Sequence, residues 1–233
     1  QGVLSVEAVT SAFSWVYLIV VIAFFTWLFM AGQWTKEERK RLIVIVVLFA
    51  GAAVFWSAFE QAASTLNLFA AQNTRNSIFG WTFPSSWFQS VNALMIIIFA
   101  PVFAWIWISL GKRDPSSPAK FAFGLVSVGL GFVVMVGAAQ ASANGVLVSP
   151  MWLVLTYLLH TIGELSLSPV GLSSMTKLAP DRVKGMMMGV WFLAASVGNL
   201  IAGGVLRFYA DFTLPQVFGA VAAFAIVAGL VMF

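Results

Sequence analysis

Residues 35–61 read TKEERKRLIVIVVLFAGAAVFWSAFEQ. Thr35 followed three residues later by Glu38 is the pattern of a capping box, in which hydroxyl and carboxylate each hold a backbone N–H at a helix start. It predicts a helix beginning at about Lys36. From Leu42 to Phe59 no charged side chain occurs. A helix rising 1.5 Å per residue needs about 20 apolar residues to cross about 30 Å of hydrocarbon, and this run meets that length. Lys36, Arg39, Lys40 and Arg41 crowd its entry, and Trp34 stands at interface depth. A bilayer-spanning helix with a basic, cytoplasmic N-terminal end is the consequence.

The rest of the chain repeats the pattern. Of 233 residues, 61% are apolar and 9% charged, against about 25% charged in soluble domains. The mean hydropathy is +0.97. Too few polar side chains exist to cover a surface facing water, so a soluble globular domain is excluded. Apolar stretches run over about 11–31, 42–69, 86–110, 119–139, 150–176, 186–206 and 213–233. None alternates with the period of two that a barrel strand requires, so the class is all-α and the architecture a polytopic membrane protein partnered by the lipid bilayer. The first run is no signal peptide, because its basic residues follow it. The chain begins at Gln1 and stops at Phe233 inside an apolar run, and reads as a piece of a longer protein.

Charge orients the spans. Lys36 to Arg41, then Lys112, Arg113 and Lys120, then Lys177, Arg182 and Lys184 fall in alternate connections, whereas the others hold Arg75 and Arg207. The basic connections are cytoplasmic by the positive-inside rule, and residues 1–10 lie outside. The polar stretches at 71–86 and 111–118 read as a loop and a turn. Ala194, Gly198 and Ala202, like Ser127 and Gly131, repeat at four-residue spacing and predict closely approaching helices.

Several functions are excluded by composition. There is no cysteine and a single histidine, so no thiolate or clustered metal site is expected. A formal charge of +4, scattered along the chain, offers no phosphate-binding face for nucleic acid. With no nucleophile–base pair and no phosphate loop, the chain reads as no enzyme.

What remains is a short set of polar residues inside apolar runs. Glu60 and Glu164 are the acids there. A carboxylate at the bilayer centre costs about 2.5 kcal/mol or more, so each must face protein or water, either as a functional group or in a structural hydrogen bond. Trp56 lies one turn from Glu60 on the same face, with Ser57 and Ser64 beside them. Ser168 stands one turn beyond Glu164. Pro169 cannot donate to the carbonyl of Leu165 and predicts a bend suited to a gate, or one used only in packing. Gln89 and Asn92 share a face three residues apart. Trp191 and Asn199, two turns apart, read as lining one cavity. His160, one turn before Glu164, reads as a packed, hydrogen-bonding residue.

Taken together, Phe55-Trp56 with Phe59-Glu60-Gln61, Trp87-Phe88-Gln89-Ser90 with Asn92, Gly163-Glu164-Leu165 with Ser168-Pro169, Lys177-Leu178-Ala179-Pro180, and Met187-Met188-Gly189 with Trp191-Phe192-Leu193 resemble the proton-dependent oligopeptide transporter family. The resemblance implies the C-terminal six-helix bundle of a major facilitator fold over residues 36–233. Residues 1–35 would be an extra transmembrane linker helix and its connection. It further implies symport of di- and tripeptides, driven by protons without a cofactor, in a bacterial inner membrane. Glu60 resembles the family's proton-coupling acid, Trp56 a pocket wall, Asn92 and Glu164 the pair that binds the peptide amino terminus, and Trp191 a pocket aromatic. Ala93 departs from the proline many members carry. The partner N-terminal six-helix bundle, with its first-helix acidic and arginine motif and its fourth-helix lysine, is absent from this sequence. Transport of another small solute, or peptide binding and sensing without transport, are the alternatives that the same pocket allows.

Overall fold

The second span does not run as one helix. In the computed structural model, which describes residues 6–233 apart from the side chains of 6–8, 10, 207, 209 and 210, α2 covers Lys36–Phe59, a 3₁₀ turn follows at Glu60–Ala63, and α3 takes up the chain at Thr65–Asn73. The predicted start is found: Thr35 Oγ1 accepts from the Glu38 backbone at 3.2 Å, and Glu38 Oε2 accepts from the Thr35 backbone at 2.8 Å. The other helices are α1 (Val6–Ala31), α4 (Phe88–Leu110), α5 (Ser117–Ala141), α6 (Met151–Leu178), α7 (Met187–Asp211) and α8 (Leu214–Met232). Among the described residues, seven segments are long and apolar enough to span a bilayer. They coincide with the seven runs read from the sequence. Of the segment expected outside, residues 1–5 lie beyond the described residues, as does the side chain of Arg207.

The first polar stretch is not a plain loop. Ser77–Ile78 (β1) pairs antiparallel with Trp81–Thr82 (β2), in register Ser77 to Thr82 and Ile78 to Trp81. Phe79 and Gly80, at φ 50° and 81°, make the two-residue turn, whose positive φ values match the twist of a hairpin. Backbone bonds from Arg75 to Val148 and from Val148 to Asn73, each 2.9 Å, fasten this connection to the one before α6. At the opposite end of the bundle the 111–118 turn is held by Lys120, which bonds Asp114 at 2.8 Å and lies 4.4 Å over the Trp107 ring. Ser174 reaches Ser117 at 2.8 Å there, which brings the basic connections to one end.

Helix packing follows the small residues, because lipid removes the hydrophobic drive between helices and leaves close contact to hold them. α5 lies between α6 and α8, α2 runs along α7, and α4 along α6. Gly124 and Gly163 face each other across α5 and α6, each so close that a Cβ would stand 2.9 Å and 2.7 Å from the other's carbonyl. Ala194, Gly198 and Ala202 are buried, and a Cβ on Gly198 would meet Ala53 O and Ser57 N at 2.9 Å. The predicted close approach at this face is therefore that of α7 on α2. By contrast α1 is mostly exposed and meets the bundle near its end, through buried Leu28 and an edge contact of Phe25 with Phe49 at 4.9 Å. Gly198→Val should force the α2–α7 contact apart at about 1–3 kcal/mol. A thermal unfolding scan in detergent should show a Tm lowered by about 3–10 °C, whereas Gly203→Ala, where a Cβ meets nothing within 4 Å, should leave it unlowered.

Candidate functional site

A helix broken inside a membrane exposes backbone groups that lipid cannot satisfy. At Ser64, φ −120° and ψ −96° turn the chain out of helical geometry. The fully buried side chain of Gln61 closes the gap: its Nε2 donates to Ser57 O at 3.0 Å and to Ala202 O of α7 at 3.4 Å, and its Oε1 accepts from Ser64 Oγ at 3.3 Å and Thr65 Oγ1 at 3.0 Å. Tyr157 Oη donates to Ala62 O at 3.5 Å. The break thus sits between two neighbouring helices that supply what the helix lost. Glu60 stands at its first residue.

Opposite it, Asn92 of α4 reaches across to α6. Its Nδ2 donates to Glu164 Oε2 at 3.1 Å and to Thr161 Oγ1 at 3.0 Å, while the Thr161 hydroxyl donates to Tyr157 O at 2.8 Å. The Asn92 carbonyl and one Glu164 oxygen are left for another group. The two glutamates are close enough to act on one another electrostatically. Phe59, Glu60, Ala62, Ala63, Gln89, Asn92, Tyr157 and His160 line a cavity of about 140 Å³ that is open on the side of Ala63 and Gln89. Glu60 of the second span and Asn92 of α4 thus line one space, and Glu164 of α6 is bonded to that same Asn92, an arrangement for a cationic or protonatable ligand group.

The other expected site residues are placed less uniformly. Trp56 stacks edge-on with Phe55 and Phe59 at 5.5 Å and 5.2 Å, seated on Gly198, and its buried Nε1 has no hydrogen-bond partner. The buried hydroxyl of Ser168 has none either. Pro169 lies within an α6 that is helical from Met151 to Leu178, so the interruption beside an acid falls at Glu60 in a stretch without proline. Trp191 is 5% exposed, laid over Gly171 and edge-on to Phe121 at 6.4 Å, while Asn199 is exposed. His160 is packed as read, but neither ring nitrogen has a hydrogen-bond partner. Gln61, Thr161 and Tyr157 were not singled out by sequence reasoning as site groups. The spacing of Ser64 and Thr65 at three and four residues after Gln61 was the available signal. No group of three or more potential metal ligands occurs among the described residues.

A family model described as the POT family matches residues 6–223. The chain belongs to the POT family. A peptide transporter of Yersinia enterocolitica, YePEPT, is 48% identical over 209 residues, covering 87% of this chain and 41% of that protein. A di-/tripeptide transporter of Lactococcus lactis is 33% identical over 219 residues, 92% of this chain and 44% of the relative. Among solved structures, a peptide transporter POT in complex with sulfate superimposes with a TM-score of 0.93 at 40% identity, over 100% of this chain and 47% of that one. A POT family transporter in complex with 5-aminolevulinic acid does so with a TM-score of 0.90 at 31% identity, over 98% and 47%. The chain spans less than half the length of these POT relatives. They are transporters, and the fold is that of an integral, multi-pass membrane protein.

Replacing Gln61 by Leu, close in volume, strands the carbonyls and hydroxyls it serves at a cost of about 1–3 kcal/mol. Hydrogen exchange of the Glu60–Leu68 amides should quicken in this variant, with those of α5 unchanged.

Proposed function

We propose that the intact transporter containing this chain carries di- and tripeptides together with protons by alternating access across a bacterial inner membrane. Residues 36–233 act as its C-terminal six-helix bundle, residues 1–35 as the linker helix and its connection, and an N-terminal six-helix bundle completes the pathway. The proton gradient drives the cycle, with no cofactor. The observation that carries this reading is the Asn92–Glu164 pair, whose free carbonyl and carboxylate oxygens match the donors of a peptide ammonium group. Trp56 forms a wall of the pocket, Ser168 offers a spare hydroxyl, and Trp191 backs the site through Gly171. Pro169, which cannot bond Leu165, gives α6 its place to flex as a gate.

Glu60 is the proton-coupling group. An external proton neutralises it, a cross-bundle ion pair is released, and the two bundles rock about the midplane site. Its place at the helix break, beside the cavity and without a hydrogen bond to a protein side chain among the described residues, supports this role. Glu164 stays ionised to hold the amine. The relative crystallised with 5-aminolevulinic acid, a small primary amine, supports the same pair taking other amino-bearing solutes; competition of that compound with dipeptide uptake separates the two substrate classes.

In liposomes holding the intact transporter, Glu60→Gln should abolish uptake driven by an inward proton gradient while counterflow of labelled dipeptide persists. Loss of both would overturn the coupling role. For Glu164→Gln, loss of a charge-assisted bond worth about 1.5–3 kcal/mol should weaken a free dipeptide roughly 10- to 150-fold, and leave an amino-blocked one unaffected in competition binding. An equal effect on both would contradict the assignment.

A further inference from the structure

His160 is the polar group of this region that the scheme above leaves unused. Its side chain is fully buried, ringed by Phe59, Phe132 and Tyr157 at 6.1, 5.1 and 6.4 Å. The ring fits because residue 131 is glycine: a Cβ there would stand 2.6 Å from Cδ2 and 2.7 Å from Nε2. Neither nitrogen meets hydrogen-bond distance and angle with any protein group, and the Val128 backbone of α5 comes near enough to the ring for a weak contact only. An unpaired buried imidazole costs on the order of 1–3 kcal/mol, and buried polar groups in native proteins are paired with protein or with water.

Water has room to supply the pairing. His160 lines the same 140 Å³ cavity as Glu60, Gln89, Asn92 and Tyr157. About 10–15 Å³ of such space holds one water, which settles where two to four polar partners meet. We propose that the buried end of this cavity is a water site whose water joins His160 to Glu60, so that His160 is a positioning residue for the coupling carboxylate. The inference rests on the peptide-symport reading. Groups facing His160 are few: Glu60 across the cavity, the uncharged Gln89 and Asn92 on α4, no ionisable side chain among its α5 contacts Gly131 and Phe132, and Tyr157 and Glu164 one turn away on α6 itself. Bridging water would solvate the Glu60 carboxylate at the inner end of the cavity, where His160 is fully buried beside Phe59 and Tyr157.

The test compares His160→Met, apolar and adaptable, with His160→Gln, which keeps a donor and an acceptor. Both are reconstituted as the intact transporter, and dipeptide uptake is followed against external pH. Counterflow at fixed pH serves as the measure of folded, substrate-competent protein. The methionine variant should keep counterflow and move the midpoint of driven uptake to higher pH by about one unit, tenfold in proton concentration; the glutamine variant should keep the wild-type midpoint. Unchanged midpoints in both, or equal shifts in both, overturn the inference. An experimental structure of the wild-type transporter that resolves water decides independently of any variant: water within hydrogen-bond reach of both His160 and Glu60 is expected, and a dry cavity overturns the inference. Absence of gradient-driven uptake in the wild type would strike the symport reading instead, and leave the water in that structure as the test of this one.

Discussion

Lipid offers no hydrogen bonds, so every backbone group in the bilayer must find its partner in the protein. That constraint shapes the second span more than any other part of the chain. The helix stops at Phe59 and restarts at Thr65, and the turn between them is held by one amide side chain with four hydrogen bonds. Gln61 reaches the next helix through Ala202 O only because Gly198 and Ala202 let α7 lie against α2. Close packing and the helix break are thus one feature seen from two sides. Glu60, the first residue of the turn, lines the cavity together with residues of α4 and α6.

The electrostatics of the site follow from that placement. Glu60 lines a small cavity together with Asn92, and the amide of Asn92 has been spent on Glu164, an acid of another span. Glu164 is therefore tied, with a threonine behind its partner amide, while Glu60 has no hydrogen bond of its own to a protein side chain in the described contacts. A tied carboxylate suits a group that must hold a ligand in place. A carboxylate at a helix break, beside a cavity with room for water, suits one that must gain and lose a proton. The proposed division of labour between the two glutamates thus rests on their surroundings rather than on their chemistry, which is identical.

Much of this was legible in the residues. Seven spans, the Thr35–Glu38 cap, the common end of the basic connections and the α7 small-residue face all follow from length, charge and spacing, which are properties of single helices. Glu60, Asn92 and Glu164 stood out because polar groups are costly in lipid. The helix break did not. Proline signals a bend, and it pointed to Pro169, through which α6 runs on as helix, but no proline marks the place where the chain breaks and Gln61, Ser64 and Thr65 satisfy it. The hairpin at Ser77–Thr82 was hidden because its turn uses Phe79, not asparagine, before Gly80. Trp191 was placed in the pocket by the family resemblance; its cover over Gly171 depends on a tertiary contact no spacing encodes.

The central claim is that Glu60 exchanges its proton as peptide moves. Infrared difference spectroscopy of the intact transporter, triggered by dipeptide or by a pH step, reads the carboxyl stretch of protonated side chains directly. The account predicts a carboxyl band that appears with protonation, changes on peptide binding, and is missing in Glu60→Gln but kept in Glu164→Gln. A band that survives the loss of Glu60 unchanged would place the coupling proton elsewhere and contradict the account.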